Sequence, residues 1–390
     1  EPVAGAERAR RIAAMRDAGV RAVKLRFHHA DWRHDVEVVE EVRDAVGRLV
    51  AERGTTLVVV EHRIGTWLPL VDRVVVLAAG GGVVADGPPD QVFSTHGAEL
   101  AALGAWVPGI GHGLVRRPVP RSRDAVLSAR ELTIGYEPDT PVRTVSSLDI
   151  PQGTSTTLTG ANGSGKTTLA LTLAGLLPSL GGHVQASPTI SPAPAGPRRF
   201  TMFSRRAGAS HGEYAMRSAS SPTYPGEPAT RPRPGGTYTT RTDPSRWRSK
   251  ELLTRLGTVF QDPEHQFVAA TVADELAIGL RALGRGKEDV EVRVAELLEQ
   301  LHLGRLARAN PFTLSGGEKR RLSVGTVLAT SPAVVFLDEP TFGQDRNTWV
   351  DLVRLVTAQL EAGTTVVSVT HDADYLDLLG EHHVHLEVPA

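Results

Sequence analysis

The sequence of 390 residues contains no cysteine, which excludes disulfide bonds and thiolate metal sites. It also lacks an excess of either charge, since 43 lysine and arginine residues face 44 aspartate and glutamate residues. No global field therefore favours nucleic acid or an anionic membrane as a partner. The longest apolar runs, at residues 74–85 and 169–180, fall short of the roughly 20 residues that a membrane-spanning helix needs.

A charged leader followed by an apolar segment is also missing, so a signal peptide is not expected. The chain opens on Glu1 and not on methionine, which is compatible with a trimmed or partial chain. Together with the absence of cysteine, this pattern predicts a protein of the reducing cytoplasm.

Short apolar runs alternate with longer segments of helical period, which predicts an α/β protein with buried, largely parallel strands. Strands are expected at residues 57–60, 74–77, 153–159, 256–260, 333–337 and 365–370. Helices are expected at residues 36–52, 165–177, 288–302, 316–329 and 347–361.

Two segments break this alternation. Residues 111–124, rich in glycine, proline and arginine, are predicted to be a linker between a small N-terminal piece and a larger C-terminal one. Residues 183–249 are rich in proline, serine and arginine and have few periodic apolar positions, so we expect a disordered insertion. An inert loop is the plain interpretation of the insertion, and a regulatory or docking segment is the alternative.

A phosphate-binding loop is predicted at residues 159–168, TGANGSGKTT, which fit G-x-x-x-x-G-K-[ST] between a strand and a helix. Its glycines let successive N–H groups turn towards phosphate oxygens, and the helix adds its positive end. Lys166 would reach the β and γ phosphates, and the Thr167 hydroxyl would ligate Mg²⁺. The candidate ligand-binding residues are Gly160, Asn162, Gly163, Ser164, Gly165, Lys166, Thr167 and Thr168.

Two carboxylates end the apolar strand at residues 333–340, AVVFLDEP, at the edge where ligands collect in parallel sheets. Asp338 is predicted to hold Mg²⁺, and Glu339 to orient or deprotonate the attacking water. Taken alone, the two acids could equally begin a loop.

A second glycine-containing turn lies between these motifs, at residues 313–325. Its glycines allow close backbone approach, and the helix that follows presents free N–H groups, so it is suited to meet an anion. The candidate residues are Ser315, Gly316, Gly317 and Glu318.

In this order, the motifs resemble the nucleotide-binding domain of ATP-binding-cassette (ABC) proteins, from about Ala125 to the C-terminus. The resemblance implies a P-loop NTPase fold with a mostly parallel core sheet, an antiparallel β subdomain and a helical subdomain that carries the signature motif. It implies ATP and Mg²⁺ as ligands. The roles that it implies are adenine stacking for Tyr136, γ-phosphate and metal sensing for Gln261, the signature motif for Leu314 to Glu318, the D-loop aspartate for Asp345 and the switch histidine for His371.

Pairing of two such domains is a further implication of the resemblance. In this family, each signature motif closes over the ATP bound to the other domain. The implied partner is a second ABC ATPase domain, either from another copy of the chain or from a different subunit. ATP binding would close the pair, and hydrolysis at Glu339 and His371 would reopen it.

Residues 260–280 resemble the energy-coupling-factor ATPases, which power importers of vitamins, their precursors, or metal ions such as cobalt and nickel. The resemblance implies a transmembrane coupling subunit and a substrate-binding membrane subunit as partners, with the chain peripheral on the inner face of the plasma membrane. We hypothesise that Asp262, Glu264 and Gln266 receive a basic helix of the coupling subunit; solvated loop residues are the alternative. The sequence does not indicate which solute is transported, because in this family a separate membrane protein binds it.

A soluble ABC ATPase that acts on DNA or ribosomes is the rival function. Such proteins are expected to carry coiled-coil arms or basic linkers, and the insertion has neither heptads nor a dense basic block. Nucleic acid is therefore not a predicted partner.

An internal repeat relates the two ends of the chain. Gly54-Thr55-Thr56 matches Gly363-Thr364-Thr365 at an offset of 309 (363 − 54), which maps His371 onto His62. Residues 71–93 resemble the strand pair and helix start that end many such domains. We therefore interpret residues 36–110 as the C-terminal remnant of a first ABC ATPase domain, joined to a complete domain at residues 125–390.

Upstream of this remnant the repeat is lost, because the same offset carries Asp338 and Glu339 to His29 and Ala30, where no apolar strand exists. Residues 1–35 are left unassigned, either out of register or disordered. A truncated, inactive product is therefore a third alternative for the whole chain.

Two groups of histidines are weaker candidates. His28, His29 and His34 beside Asp31 suggest a metal site without a scaffold, so a solvated stretch is the preferred interpretation. The C-terminal group, which consists of His382, His383 and His385, is expected on a terminal strand.

Overall fold

The computed structural model describes residues 43–52, 54, 56–60, 63–77, 81–116, 124–190 and 242–387. The predictions for residues 1–35, for His62 and for residues 191–241 of the insertion lie outside these ranges. Among the described helices, none is long and apolar enough to cross a membrane.

The described strands are, in chain order, β1 (Val74–Leu77), β2 (Val83–Gly87), β3 (Ala125–Ile134), β4 (Arg143–Pro151), β5 (Ser155–Gly160), β6 (Gly181–Ala186), β7 (Leu256–Val259), β8 (Val334–Asp338), β9 (Thr365–Val369) and β10 (His382–Leu386). The helices are α1 (Pro89–Ala102), α2 (Lys166–Leu173), α3 (Ser249–Arg255), α4 (Val272–Ala282), α5 (Lys287–Gln300), α6 (Gly316–Ala329), α7 (Arg346–Glu361) and α8 (Ala373–Leu379). Residues 43–52 are also helical, and two single 3₁₀ turns follow at Ile64–Thr66 and Leu68–Leu70.

A five-stranded parallel sheet, in the order β10-β5-β9-β8-β7, forms the centre of the large domain. Every residue of β5, β8 and β9 is buried, as expected for central strands with helices on both faces. Because these strands are parallel, their carboxyl ends meet at one edge, which brings together the segments after β5, β8 and β9.

A three-stranded antiparallel sheet, β4-β3-β6, packs against α2, so that α2 shares one apolar core with both sheets. β6 lies at the start of the region predicted to be a disordered insertion, so that boundary was wrong: Val184 and Ala186 are buried against β3. The far end is ordered as well, since Trp247 is buried and the Arg255 guanidinium lies 4.3 Å from its ring. Pairing with β3 and packing of an aromatic ring offset the ordering entropy that composition alone suggested.

A helical subdomain of α4, α5 and α6 packs against β7, β8 and α7 through a second apolar core. The turn before α4 is held by Glu275, whose buried Oε2 accepts hydrogen bonds from the N–H groups of Val268 (2.9 Å) and Ala269 (2.7 Å). Thr271 caps α4 by accepting from the N–H of Asp274. The predicted helix at 316–329 has the observed bounds of α6.

The N-terminal piece has its own small core between the β1-β2 hairpin and α1. Strand 74–77 was predicted with the observed bounds, whereas residues 57–60 do not form a strand, contrary to prediction. Val58 is 81% exposed and Val60 95% exposed. A buried parallel strand needs hydrogen-bonded neighbours, and no described strand pairs with these residues.

The first half of the predicted linker lies against the large domain. Arg346 Nη2 donates to the carbonyl oxygen of Gly111 at 2.8 Å, and Leu114 packs on the core that contains α7. Of the rest of the linker, residues 117–123 lie outside the described residues, and Asp124 lies directly before β3.

Candidate functional site

The end of β5 and the loop that joins it to α2 contain backbone conformations that require glycine. Gly160 has a φ of +140°, and a Cβ atom there would lie 2.3 Å from the carbonyl oxygen of Leu386. Gly165 has a φ of +91°, and a Cβ atom there would lie 2.9 Å from the Val142 side chain. The predicted glycines therefore do what a phosphate-binding loop needs, which is to let the backbone turn back on itself ahead of a helix.

Lys166 begins α2 with its ammonium group directed into this loop. Its Nζ donates to the carbonyl oxygens of Gly160 (2.7 Å) and Ala161 (2.8 Å), which leaves one of its three N–H donors for an anion. Burial lowers the pKa of Lys166, while the negative charges of Glu339 and Asp338 act in the opposite direction. The N-terminus of α2, which carries a partial positive charge, and this ammonium group therefore both lie at the glycine-rich loop.

Thr167 and Asp338 meet across the sheet edge. Thr167 Oγ1 donates to Asp338 Oδ2 at 2.9 Å, and the other carboxylate oxygen, Oδ1, is buried and has no hydrogen-bond partner among the described residues. Burial raises the pKa of Asp338, with Thr167, Arg320 and Lys166 opposing the shift. A hydroxyl beside a buried carboxylate with a spare oxygen is a donor set that suits Mg²⁺, so the residues present fit the metal predicted for them.

Glu339 follows Asp338 in a strained conformation, with a φ of +45°. Its N–H donates to the carbonyl oxygen of Val369 at 2.9 Å, which locks the end of β8 to the end of β9. His371 follows β9, and its Nε2 lies 3.4 Å from Glu339 Oε1. The two predicted catalytic side chains are therefore neighbours, although 32 positions separate them in the sequence (371 − 339).

Burial, and then the charge of Asp338, raises the pKa of Glu339 to about 8. Lys166 and a hydrogen bond with the His371 backbone oppose this shift. A carboxylate with a raised pKa is a better proton acceptor, as the base role predicted for Glu339 would require.

Gln261 is exposed directly after β7, and its backbone is held by an arginine that sequence reasoning missed. Arg320 Nη1 donates to the carbonyl oxygen of Phe260 at 2.8 Å, and Nη2 to that of Gln261 at 2.6 Å. Arg320 is buried on α6, and burial lowers its pKa, while the charges of Asp338 and Glu339 raise it. In the sequence, only the position of Arg320 close to the signature motif pointed to this role. Its partners are backbone atoms, which leave no pattern in the sequence.

The signature residues and Asp345 form a second group. Ser315 and Glu318 cap α6 reciprocally: the N–H of Ser315 donates to Glu318 Oε2 (2.8 Å), and the N–H of Glu318 donates to Ser315 Oγ (3.4 Å). Asp345 caps α7 by accepting from Thr348. A Cβ atom on Gly317 would lie 3.1 Å from Thr348 Oγ1, so the two helix starts pack tightly.

Tyr136 is 65% exposed in the turn after β3. Val142 closes this turn by donating its N–H to the carbonyl oxygen of Ile134 (2.8 Å), and its side chain packs beside Gly165. An exposed aromatic ring thus belongs to a turn that borders the phosphate-binding loop, as adenine stacking would require.

The three residues proposed for membrane-subunit docking already have partners within the chain. Glu264 Oε1 pairs with the Nζ of Lys319 on α6 at 2.5 Å. Gln266 accepts from the N–H of Phe260 at 3.0 Å, and Asp262 accepts from the N–H of Glu264 at 3.0 Å. These contacts shape the turn itself, so each docking role stays a prediction.

Asn162, Gly163, Ser164 and Thr168 complete the predicted set. Asn162 and Gly163 are exposed at the tip of the loop, whereas Thr168 is buried on α2. Ser164 is buried, and its Oγ has no hydrogen-bond partner in the described part of the chain. Among the described residues, no group of histidine, aspartate and glutamate side chains could hold a metal ion in addition to this site; His28, His29 and His34 lie outside them.

The sheet order and this loop define a P-loop nucleotide-binding domain. A family model described as "ABC transporter" matches residues 144–209 and 229–342. The chain is 34% identical over 243 residues to the nickel import ATP-binding protein NikO of Rhodobacter capsulatus, and the match covers 62% of this chain and 77% of that protein. The chain therefore belongs to the ATP-binding proteins of the ABC transporter family.

Two further proteins are similar to this chain, one over a longer stretch of sequence and one in its solved structure. The chain is 29% identical over 349 residues to YkoD of Bacillus subtilis, provisionally named an HMP/thiamine import ATP-binding protein, with 84% of this chain and 53% of that protein covered. The chain thus spans about half the length of such relatives. A solved structure of cbiO1 from Clostridium perfringens, part of the ABC transporter complex cbiONQ, aligns with a TM-score of 0.47 at 23% identity over 69% of this chain and 88% of that chain.

Proposed function

We propose that the domain at residues 125–390 binds MgATP and hydrolyses it, and that this cycle powers a membrane importer. One observation supports the chemistry above all others. The carboxyl ends of β5, β8 and β9 bring Lys166, Thr167, Asp338, Glu339 and His371 into one cluster, with the hydrogen bonds and distances given above.

Each residue has a role that follows from its chemistry. The N–H groups of the glycine-rich loop and the Lys166 ammonium group bind the phosphates of ATP. Thr167 and Asp338 hold Mg²⁺, which when bound supplies positive charge to the phosphate oxygens. Glu339 orients water and accepts its proton, and His371, 3.4 Å away, fixes the orientation of that carboxylate.

Replacement of Lys166 by alanine tests this proposal directly. We expect binding of fluorescent ATP to the full chain to fall at least about tenfold, because a buried charge-assisted contact is removed. Lys250→Ala is the matched control, since Lys250 is exposed on α3. Equal binding by both variants would contradict the assignment.

The energy-coupling-factor type is the importer class that we propose. It is supported by the sequence resemblance at residues 260–280 and by similarity to NikO, whose name assigns it to nickel import. The partners would be a transmembrane coupling subunit and a substrate-binding membrane subunit, with the chain peripheral on the inner membrane face. Co-purification with a candidate coupling subunit, and its loss in a Glu264→Lys variant, would support docking at this turn; retention in that variant would exclude it.

We also propose that residues 36–110, which the structure describes from residue 43, are the end of a first cassette. Three described segments correspond at the offset of 309: residues 43–52 with the second half of α7, residues 64–70 with α8, and β1 with β10. DNA upstream of the codon for Glu1 would then encode a phosphate-binding loop, in the same reading frame or in a shifted one. Its absence would favour a chance resemblance.

A further inference from the structure

Arg63 and Asp372 occupy equivalent positions in the two copies, because 372 − 63 gives the offset of 309 that relates them. In the structure these two residues are in contact. Arg63 Nη2 donates to Asp372 Oδ1 at 3.1 Å and to Oδ2 at 3.0 Å. In a two-fold pair of similar units, equivalent residues meet each other close to the rotation axis. A two-fold axis that relates the first copy to the second would therefore pass close to this contact.

The carboxylate in this contact is held in place from its own side. Trp349 Nε1 donates to Asp372 Oδ2 at 2.6 Å, and Asp372 Oδ1 caps α8 by accepting from the N–H of Asp374 at 3.1 Å. The Asp372 side chain is only 11% exposed. Its charge therefore cannot turn away from whatever residue lies opposite.

The guanidinium group of Arg63 has a matching environment. A second nitrogen, Nη1, lies 3.2 Å from Asp374 Oδ2, and the group lies 4.4 Å from the centre of the Trp106 ring. Trp106 Nε1 donates in turn to the carbonyl oxygen of Gln344 at 3.1 Å. Two carboxylates and an aromatic face together make a site for a cation.

Around this pair, the end of α1 lies against the D-loop. The N–H of Arg346 donates to the carbonyl oxygen of Gly104 at 2.8 Å, and Asn347 Nδ2 donates to that of Ala102 at 2.9 Å. The first copy thus covers the start of α7, next to the Asp345 cap.

We propose that the residue directly after the switch histidine selects which cassettes pair, and that the partner fitting the complete cassette is one with a basic residue at that position. This inference rests on the proposed function, since it treats residues 36–110 as a cassette remnant. Two complete cassettes of this kind would bring Asp372 against Asp372, and two first copies would bring Arg63 against Arg63. Only the mixed pair is complementary in charge, so like pairs are rejected by repulsion.

Cross-linking of the full chain tests the contact within it. Because the sequence has no cysteine, Ala102→Cys and Asn347→Cys can be introduced as a unique pair of exposed thiols and linked with a short bis-maleimide. We expect Arg63→Asp to slow cross-linking about fivefold or more, since it places three carboxylates together. Arg73→Asp is the control, because it makes the same charge change within the remnant, in the exposed pair with Asp86.

A charge swap separates electrostatic selection from a structural role. Asp374 pairs with Arg63 through its side chain while only its N–H serves the cap of α8, so Asp374→Arg leaves that cap intact. We expect the Arg63→Asp/Asp374→Arg chain to recover cross-linking to within about twofold of the original rate. A rate no higher than that of Arg63→Asp alone, or an Arg63→Asp rate equal to that of the starting chain, would overturn the proposal.

Capture of a second chain tests the selection itself. Tagged chains that carry Glu339→Gln, with or without Asp374→Arg, are mixed with untagged Glu339→Gln chains in MgATP. Asp374→Arg repels its own Arg63 and offers a cation to Asp372 of the other chain, so we expect at least about threefold more capture. Adding Arg63→Asp to the tagged chain restores its internal pair and should lower capture again; equal capture by all three would refute the inference.

Fluorescent ATP binding to the same proteins keeps the two proposals apart. If the Lys166 site fails to bind nucleotide while the cross-linking pattern holds, the proposed function fails and the charge contact stands. If nucleotide binds while cross-linking ignores charge at positions 63 and 374, the pairing inference alone fails.

Discussion

Two segments of this chain have nearly the same sequence and opposite structures. β9 follows Gly363 and is buried at all five positions, in hydrogen bonds with β5 on one side and β8 on the other. Residues 56–60 follow Gly54 and form no strand. Val367 is fully buried, whereas Val58, its equivalent at the offset of 309, is 81% exposed. The neighbours, and not the β-branched composition, therefore decide whether this pattern becomes a strand.

Further along the repeat the two copies agree in element type but differ in partner. β10 and β1 correspond at the offset of 309, yet β10 pairs in parallel with β5, and β1 pairs antiparallel with β2. The local sequence pattern is thus sufficient to form a short strand. The neighbouring strand with which it can pair determines whether the pairing is parallel or antiparallel.

The largest expected difference between the copies is in catalysis. His371→Ala should lower ATP turnover about 100-fold or more, because His371 contacts the proposed base Glu339. His62→Ala removes the equivalent histidine of the first copy and should leave turnover unchanged. Steady-state phosphate release from the full chain measures both, and a similar loss in the two variants would assign the first copy a catalytic part.

The next difference between the copies is in stability, because Val367 is buried and its equivalent Val58 is exposed. Val367→Ala should reduce the free energy of unfolding by about 2–3 kcal/mol through lost burial and a cavity in the central sheet. Val58→Ala should change it by less than about 0.5 kcal/mol. Urea denaturation followed by circular dichroism gives both values. Equal losses would mean that residues 56–60 are buried in solution.

Sequence reasoning succeeded where burial is enforced from both sides. β5, β8, β9, α6 and α7 were predicted to within two residues, because helices cover both faces of the sheet and leave continuous apolar runs. The residues predicted to be catalytic lie at the carboxyl ends of those same strands, and their catalytic roles stay predictions.

Elements that depend on a distant partner were not predictable. β6 is polar in composition and forms because β3 offers an edge, while 57–60 has ideal composition and no partner among the described strands. Arg320 and Arg63 act on groups 59 and 309 positions away, respectively, so nothing next to them in the sequence indicates their roles.

Glu339 has no equivalent carboxylate in the first copy, where the offset of 309 falls on Ala30. Its pKa is raised from an ordinary value of 4.5 to about 8, so the stability that the protonated form contributes is complete below about pH 4.5 and is lost as the pH rises through about 8. Glu339→Gln avoids this loss. In the absence of nucleotide, the variant should be more stable than the original chain by at least about 2 kcal/mol at pH 9, with the difference shrinking towards pH 5. Thermal melts across this range measure it, and a constant difference would contradict the raised pKa.

The smallest effect concerns the strands that end the two copies. His383 and His385 on β10 both contact the Thr159 hydroxyl, at 2.7 and 3.1 Å, while the equivalent residues on β1 are Val74 and Val76. Converting β10 to the β1 sequence with His383→Val and His385→Val should cost about 1 kcal/mol, because the buried hydroxyl loses both partners. Adding Thr159→Val should restore most of that loss, since no polar group is then left unpaired. If the third substitution brings no recovery in urea denaturation, the histidines stabilise β10 by packing and not through Thr159.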